Sequence, residues 1–319
     1  MMWEYAGKFL RCLFNRPSDL PGEIQIEITN RCNLNCSMCP RHDFEELPLE
    51  DMPLELFKLF LQKIPRLKVM ILTGWGEPLF HPHFLEFLDA ALERFPEVRL
   101  RFTTNGLLLK GKMAEEILKR DIAQINLSLD QPPRTEKNQG HAAQDLVWEN
   151  LAEFLRLRGK QKTPLLNLQA PLENRENLLG LVEEAQKVGV DRLTLFRLEL
   201  SLNPRVQRPS YAAEGDIWRL VRSKARKLGL PVFFLNRSPW LKWLSRGGKV
   251  CLRLDDYAYL NLKGELTPCC NLRDLSGGNL LETSLEEIYH GEIFRDLRRH
   301  LNHPVCRRCD AVFCRYFNE

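Results

Sequence analysis

Between Gly22 and about Leu200, short β-rich runs alternate with helical runs, and this alternation leaves few architectures open. The strand candidates are Glu23–Thr29, Leu67–Thr73, Val98–Thr103, Ile122–Leu129, Leu165–Ala170 and Arg192–Leu198. Each is a near-continuous apolar run or an apolar alternation of strand length. Between them lie helix candidates such as Pro53–Ile64, Pro82–Phe95, Leu146–Arg158 and Asn174–Val188. Asn174 and Gly189 are start and stop signals for the last. Repeated β–α units need crossover helices, which forces parallel strands with helices outside. The expected fold is α/β, curled as a barrel or as a partial (β/α)6 TIM-like barrel.

The rest of the chain reads differently. Met1 to Arg16 mixes apolar residues with Lys8, Arg11 and Arg16. It lacks a small-residue cleavage site and is expected to be an amphipathic helix, packed on the protein in preference to the alternative of a membrane surface. Ser201 to Arg246 holds Pro204, Pro209, Pro231 and Pro239, with one clear helix from about Ala213 to Leu228, and reads as a connector. Beyond it, Asp256–Pro268 resembles a hairpin turning at Lys263–Gly264. The expected division is 1–21 N-terminal helix, 22–200 barrel, 201–250 connector and 251–319 small C-terminal module.

Composition narrows the function. Lys and Arg total 46 against 42 for Asp and Glu, a surplus too small and too scattered to argue for nucleic acid. No run of about 18 uncharged apolar residues exists, so no membrane span is expected. The ten cysteines dominate: Cys12, Cys32, Cys36, Cys39, Cys251, Cys269, Cys270, Cys306, Cys309 and Cys314. With no secretory signal, the expected location is a reducing cytoplasm, where close-set cysteines read as metal ligands.

Three of them stand as Thr29-Asn-Arg-Cys32-Asn-Leu-Asn-Cys36-Ser-Met-Cys39-Pro40, directly after the first strand. A tight loop with this spacing can present three thiolates to one iron–sulfur cubane. With no fourth cysteine nearby, one iron keeps an open position, as a catalytic metal requires. A zinc site with His42 as fourth ligand is the competing reading.

The C-x3-C-x2-C loop after a strand ending Glu-x-Thr-x-Arg resembles the radical S-adenosylmethionine superfamily. Three further strand ends are similar to that family's motifs. Thr73-Gly74-Trp75-Gly76-Glu77-Pro78 resembles its Gly-Gly-Glu-Pro segment, with Trp75 inserted. Thr103-Thr104-Asn105-Gly106 follows the third strand, and Ser128-Leu129-Asp130 follows the fourth. The resemblance implies a [4Fe–4S] cluster on Cys32, Cys36 and Cys39, whose open iron is chelated by S-adenosylmethionine. It implies a cosubstrate site built from Met38, Gly74, Gly76, Glu77, Thr104, Asn105, Ser128 and Asp130. Glu77 would pair with the methionyl ammonium, Ser128 would bond the carboxylate, and Met38 would pack on adenine. Many relatives place an Arg shortly after Ser-Leu-Asp; Asn138-Gln139-Gly140 stands near that place without one.

The C-terminal cysteines, with Gly264-x4-Cys269 and Cys306-x2-Cys309-x4-Cys314, resemble the SPASM and twitch extensions of the superfamily. That likeness implies one auxiliary [4Fe–4S] cluster on Cys251, Cys269, Cys306 and Cys309. Cys314 rivals Cys309, Cys270 is read as structural, and a zinc ribbon is the alternative.

The implied activity is reductive cleavage of S-adenosylmethionine to a 5′-deoxyadenosyl radical that takes hydrogen from a small molecule or peptide. The outcome would be oxidation or cross-linking. The partners are a flavodoxin or ferredoxin-type reductant and an unidentified substrate. The alternatives are a non-catalytic iron–sulfur electron carrier or sensor, which would need neither Glu77 nor Ser128, and a radical methyltransferase.

Overall fold

The computed structural model describes residues 11, 17–36, 39, 41, 48–134, 142–198, 208–234 and 251–309. Seven parallel strands follow one another across a single sheet: β1 (Glu23–Ile26), β2 (Val69–Leu72), β3 (Arg99–Thr104), β4 (Gln124–Ser128), β5 (Leu165–Pro171), β6 (Arg192–Phe196) and β7 (Val232–Phe234). Helices α1 (Leu54–Lys63), α2 (Phe84–Arg94), α3 (Gly111–Leu118), α4 (Ala142–Arg158), α5 (Arg175–Val188) and α6 (Tyr211–Leu228) fill the crossovers. The sheet has nine strands among the described residues; its order runs from β7 at one end through β1 to a C-terminal hairpin at the other, so it is not closed.

The strands have two unlike faces. Ile24, Ile26, Leu72, Leu100, Phe102, Ile125, Leu127, Leu166, Leu168, Leu193 and Leu195 are buried on one, in a core with Phe57, Phe87, Ile117, Phe154, Leu181 and Val221 of the helices. The other face is buried but polar. Asn126 Oδ1 accepts from Gln124 Nε2 at 2.5 Å and from Asn167 Nδ2 at 2.8 Å, and the Thr194 hydroxyl donates to Asn167 Oδ1 at 2.8 Å. A parallel strand buried on both faces usually reads as continuous apolar sequence. Here the strict alternation in Gln124–Ser128 and Leu166–Gln169 writes the hydrogen-bonded inner face directly into the sequence.

The segment read as a connector adds to this sheet. Its helix α6 starts where the Ser210 hydroxyl accepts from Ala213 N, and β7 then pairs with β6. A buried ion pair, Arg197 Nε to Glu214 Oε2 at 2.7 Å, ties α6 to the end of β6. Helix α5 begins and ends at the signals expected: Asn174 caps its first turn, and Gly189 closes it in left-handed backbone.

The C-terminal module is joined to the sheet. Strand β8 (Tyr257–Leu260) pairs parallel with β1, and β9 (Leu266–Thr267) returns antiparallel after the turn at Lys263–Gly264. Helices α7 (Leu285–Tyr289), α8 (Glu292–His300) and α9 (Pro304–Arg308) follow. Ala258, Leu260, Leu266, Leu280, Ile288 and Phe294 belong to the main core, and Leu254, Leu272 and Leu297 form a small cluster of their own. The module therefore borrows most of its core from the barrel and does not depend on a metal alone. From the N-terminal segment, Arg11 pairs with the buried Asp255 at 2.7 Å, and the Ser18 hydroxyl donates to Asp255 O at 2.7 Å. Among the described residues no helix is long and apolar enough to cross a membrane.

Candidate active site at the cysteine loop

The C-terminal ends of β1 to β4 bring the expected residues to one edge of the sheet. After β1 the chain leaves the ladder, bridges Thr29 to Asp51, and enters the loop of Cys32, Cys36 and Cys39. Cys39 N donates to Cys36 O at 2.9 Å, which turns the loop back on itself. Cys36 is exposed, while Cys32 and Cys39 are half-buried. Met38 lies outside the described residues, as do Cys12, Cys314 and 138–140.

The loop after β2 is wedged against this segment. Gly76 N donates to Thr29 O at 3.2 Å, and Glu77 N to Arg31 O at 2.8 Å. A Cβ on Gly76 would lie 2.4 Å from Arg31 O, and one on Gly74 would lie 2.3 Å from Glu27 Cγ. Both glycines are needed for close contact within the protein.

Glu77 is buried at the centre of the edge. Its Oε1 accepts from the Thr104 hydroxyl at 2.7 Å and from Leu79 N at 3.1 Å, and its Oε2 accepts from Asn105 N at 2.7 Å. Burial pushes its carboxyl up to about 7, against the pull of these donors. Asn105 completes the link to the cysteine loop, donating from Nδ2 to Asn33 Oδ1 at 2.8 Å and lying 3.9 Å from Cys32 Sγ. Ser128 ends β4 exposed, in register with Gln169 of β5. Asp130 beyond it accepts from Gln144 Nε2 at 2.8 Å. It is close enough that its charge helps to raise the Cys36 thiol, after burial and Cys39.

A second gathering of thiols lies in the module. Cys251, Cys269 and Cys306 pack against the cluster of Leu254, Leu272 and Leu297. Cys309 closes α9, its N–H donating to Val305 O at 2.9 Å. A hydrogen bond with Cys270, then burial, push the Cys269 thiol well above its usual range, while the charge of Arg253 pulls it down.

Residues 26–198 match the family model of the radical SAM superfamily. The chain belongs to that superfamily. Residues 251–310 match SPASM, an iron–sulfur cluster-binding domain. Over 317 aligned residues the chain is 26% identical to a tungsten-containing aldehyde ferredoxin oxidoreductase cofactor-modifying protein of Pyrococcus furiosus, covering 90% of this chain and 86% of that one. It is 23% identical over 314 residues to an AdoMet-dependent heme synthase of Methanosarcina barkeri, covering 88% and 86%. Streptococcus suis SuiB bound to S-adenosylmethionine superposes with a TM-score of 0.70 at 17% identity, over 96% of this chain and 76% of SuiB. That likeness establishes the TIM-like barrel fold. This radical SAM enzyme thus uses a [4Fe–4S] cluster with S-adenosylmethionine, and its SPASM domain carries an auxiliary iron–sulfur cluster.

The donor set fits those groups. Cys32, Cys36 and Cys39 offer three thiols on one loop, one for each of three irons of a cubane, and Cys251, Cys269, Cys306 and Cys309 offer four in the module. Burial is the main influence raising the Cys32 and Cys36 thiols, and neighbouring acidic groups add to it, so a cationic centre would relieve both.

Sequence reasoning missed one arrangement here. Arg273 of the module is ion-paired with Glu27, which is fully buried after β1, and its guanidinium lies 5.1 Å from the centre of the Trp75 ring. The signal in the sequence was Trp75 itself, inserted between Gly74 and Gly76.

Proposed function

We propose that Cys32, Cys36 and Cys39 hold the radical-generating cluster and that the edge formed by Glu77, Thr104, Asn105, Ser128 and Asp130 holds S-adenosylmethionine. The observation that carries this is the bond from Asn105 to the cysteine loop. It sets the buried Glu77 carboxylate and the three thiols on one edge of the barrel. When bound, the cluster supplies the electron that splits the cosubstrate's sulfonium into methionine and a 5′-deoxyadenosyl radical.

The protein's own share is binding and orientation. Glu77 faces the methionyl ammonium, with Thr104 and Asn105 fixing its carboxylate plane. Ser128, exposed at the end of β4, donates to the methionyl carboxylate. Met38 packs on the adenine. In the module Cys251, Cys269, Cys306 and Cys309 hold the auxiliary cluster as a [4Fe–4S] centre, with Cys314 as the alternative fourth ligand.

The reaction is hydrogen abstraction leading to oxidation or maturation of a small molecule, with a flavodoxin or ferredoxin-type reductant. The two relatives aligned over nearly the whole chain are a cofactor-modifying protein and a heme synthase. They favour a cofactor precursor over a peptide as substrate. The test is to incubate reconstituted, reduced enzyme with deuterium-labelled cofactor-precursor and peptide pools. Deuterium recovered in 5′-deoxyadenosine from the precursor pool supports the reading, and deuterium from the peptides alone contradicts it.

A further inference from the structure

The cosubstrate edge and the auxiliary module meet at a buried contact. Glu27 follows β1 and is fully buried. Its Oε1 accepts from Trp75 N at 3.0 Å, and its Oε2 is held by the Arg273 guanidinium. Arg273 is itself largely buried and lies over the Trp75 ring. A planar guanidinium suits such a site, because it can bond a carboxylate and stack on an indole at once.

The contact reaches the two sites by continuous steps. On one side, Trp75 leads into Gly76 and Glu77, whose N–H groups bond Thr29 O and Arg31 O just before Cys32. The 2.3 Å approach that a Cβ on Gly74 would make to Glu27 shows how closely this loop is moulded on that carboxylate. On the other side, Arg273 rides on a turn anchored at Cys269. The Thr267 hydroxyl donates to Cys269 O at 3.0 Å, and Leu272 N donates to the same oxygen at 3.0 Å. The turn that leads to Arg273 is thus tied to the Cys269 backbone.

We propose that Arg273 is a positioning residue which, through Glu27, sets the Gly74–Glu77 loop, so that the auxiliary module controls the affinity of the S-adenosylmethionine site. The inference rests on the assignment of the two sites above. Ligation of Cys269 holds the turn, the turn holds Arg273, and Arg273 holds the carboxylate on which the Trp75 N–H and Gly74 are seated. Removing either charge leaves the other buried without its countercharge, so the carboxylate on which the loop is seated is no longer held in place.

The experiment is equilibrium binding of S-adenosylmethionine to the reconstituted full chain, with iron counted on each sample, for wild type, Arg273→Met, Glu27→Gln and the double variant. Each single variant weakens binding by at least about fivefold, the lower end of ordinary coupling between sites. Iron at the first cluster is unchanged. The double variant is no weaker than the weaker single, because both substitutions break the same link. Wild-type affinity in both single variants overturns the proposal, as do two losses that multiply in the double variant. If Arg273→Met does not fold, Glu27→Gln carries the same expectation alone, and wild-type affinity there overturns it. A wild-type protein that takes up no iron or binds no S-adenosylmethionine instead overturns the assignment of the sites, a result distinct from either.

Discussion

The Thr104 hydroxyl donates to the Glu77 carboxylate at 2.7 Å inside the edge where the barrel meets the cysteine loop. This bond and that from Asn105 N orient a carboxyl group that burial has pushed up from 4.5 to about 7. The folded value lies above the unfolded one. The stability this group contributes is therefore complete below about pH 4.5 and lost as pH rises through about 7. In cosubstrate-free protein, Glu77→Gln should flatten the decline in Tm across that window, as thermal melts at a series of pH values will register.

An ammonium against the same carboxylate favours its charged form. Wild-type affinity for S-adenosylmethionine should rise with pH up to about 7. Glu77→Gln should bind about tenfold more weakly, with no dependence on pH in that range and with iron content intact. Loss of iron at unchanged affinity would place Glu77 at the cluster rather than at the cosubstrate.

Cys309→Ala should lose about four iron atoms, the content of one cubane, while keeping the first cluster. It should still produce 5′-deoxyadenosine at saturating cosubstrate but fail to convert substrate. Cys314→Ala should keep its iron. Mössbauer spectra of the two variants separate the assignments, and full iron in Cys309→Ala beside a lost cluster in Cys314→Ala would exchange the ligands. Zinc in the purified module would remove the auxiliary cluster from the account.

Gly76 tests the packing of the loop after β2. Its added Cβ would meet backbone oxygens, 2.4 Å from Arg31 O and 2.6 Å from Thr29 O, and backbone cannot swing aside as a side chain can. Gly76→Ala should cost about 1–3 kcal/mol in chemical denaturation, the usual penalty for overpacking.

Much of this molecule was legible because its signals are local. The pattern of each strand from β1 to β6, the cap at Asn174 and the stop at Gly189 each occupy only a few consecutive residues. So does the cysteine spacing. Strand β7 was not legible: three residues after Pro231 carry no period, and only their pairing with β6 makes them a strand. The join of β8 to β1 was hidden for the same reason, since a parallel partner leaves no mark on a short hairpin. Glu27 and Arg273 stand 246 residues apart, and nothing in either neighbourhood announces the other. The crowding at Gly74 and Gly76 was not legible either, because it comes from Glu27 and from the Arg31 backbone.

The central claim is that the loop after β1 carries the cluster that cleaves S-adenosylmethionine. Its most direct test measures 5′-deoxyadenosine made by anaerobically reconstituted protein under dithionite, for wild type and for Cys32→Ala, Cys36→Ala and Cys39→Ala. Wild type should form 5′-deoxyadenosine, and each variant should form none while lacking about four iron atoms per chain. Normal cleavage by any one of the three variants, or none by wild type with its iron in place, would contradict it.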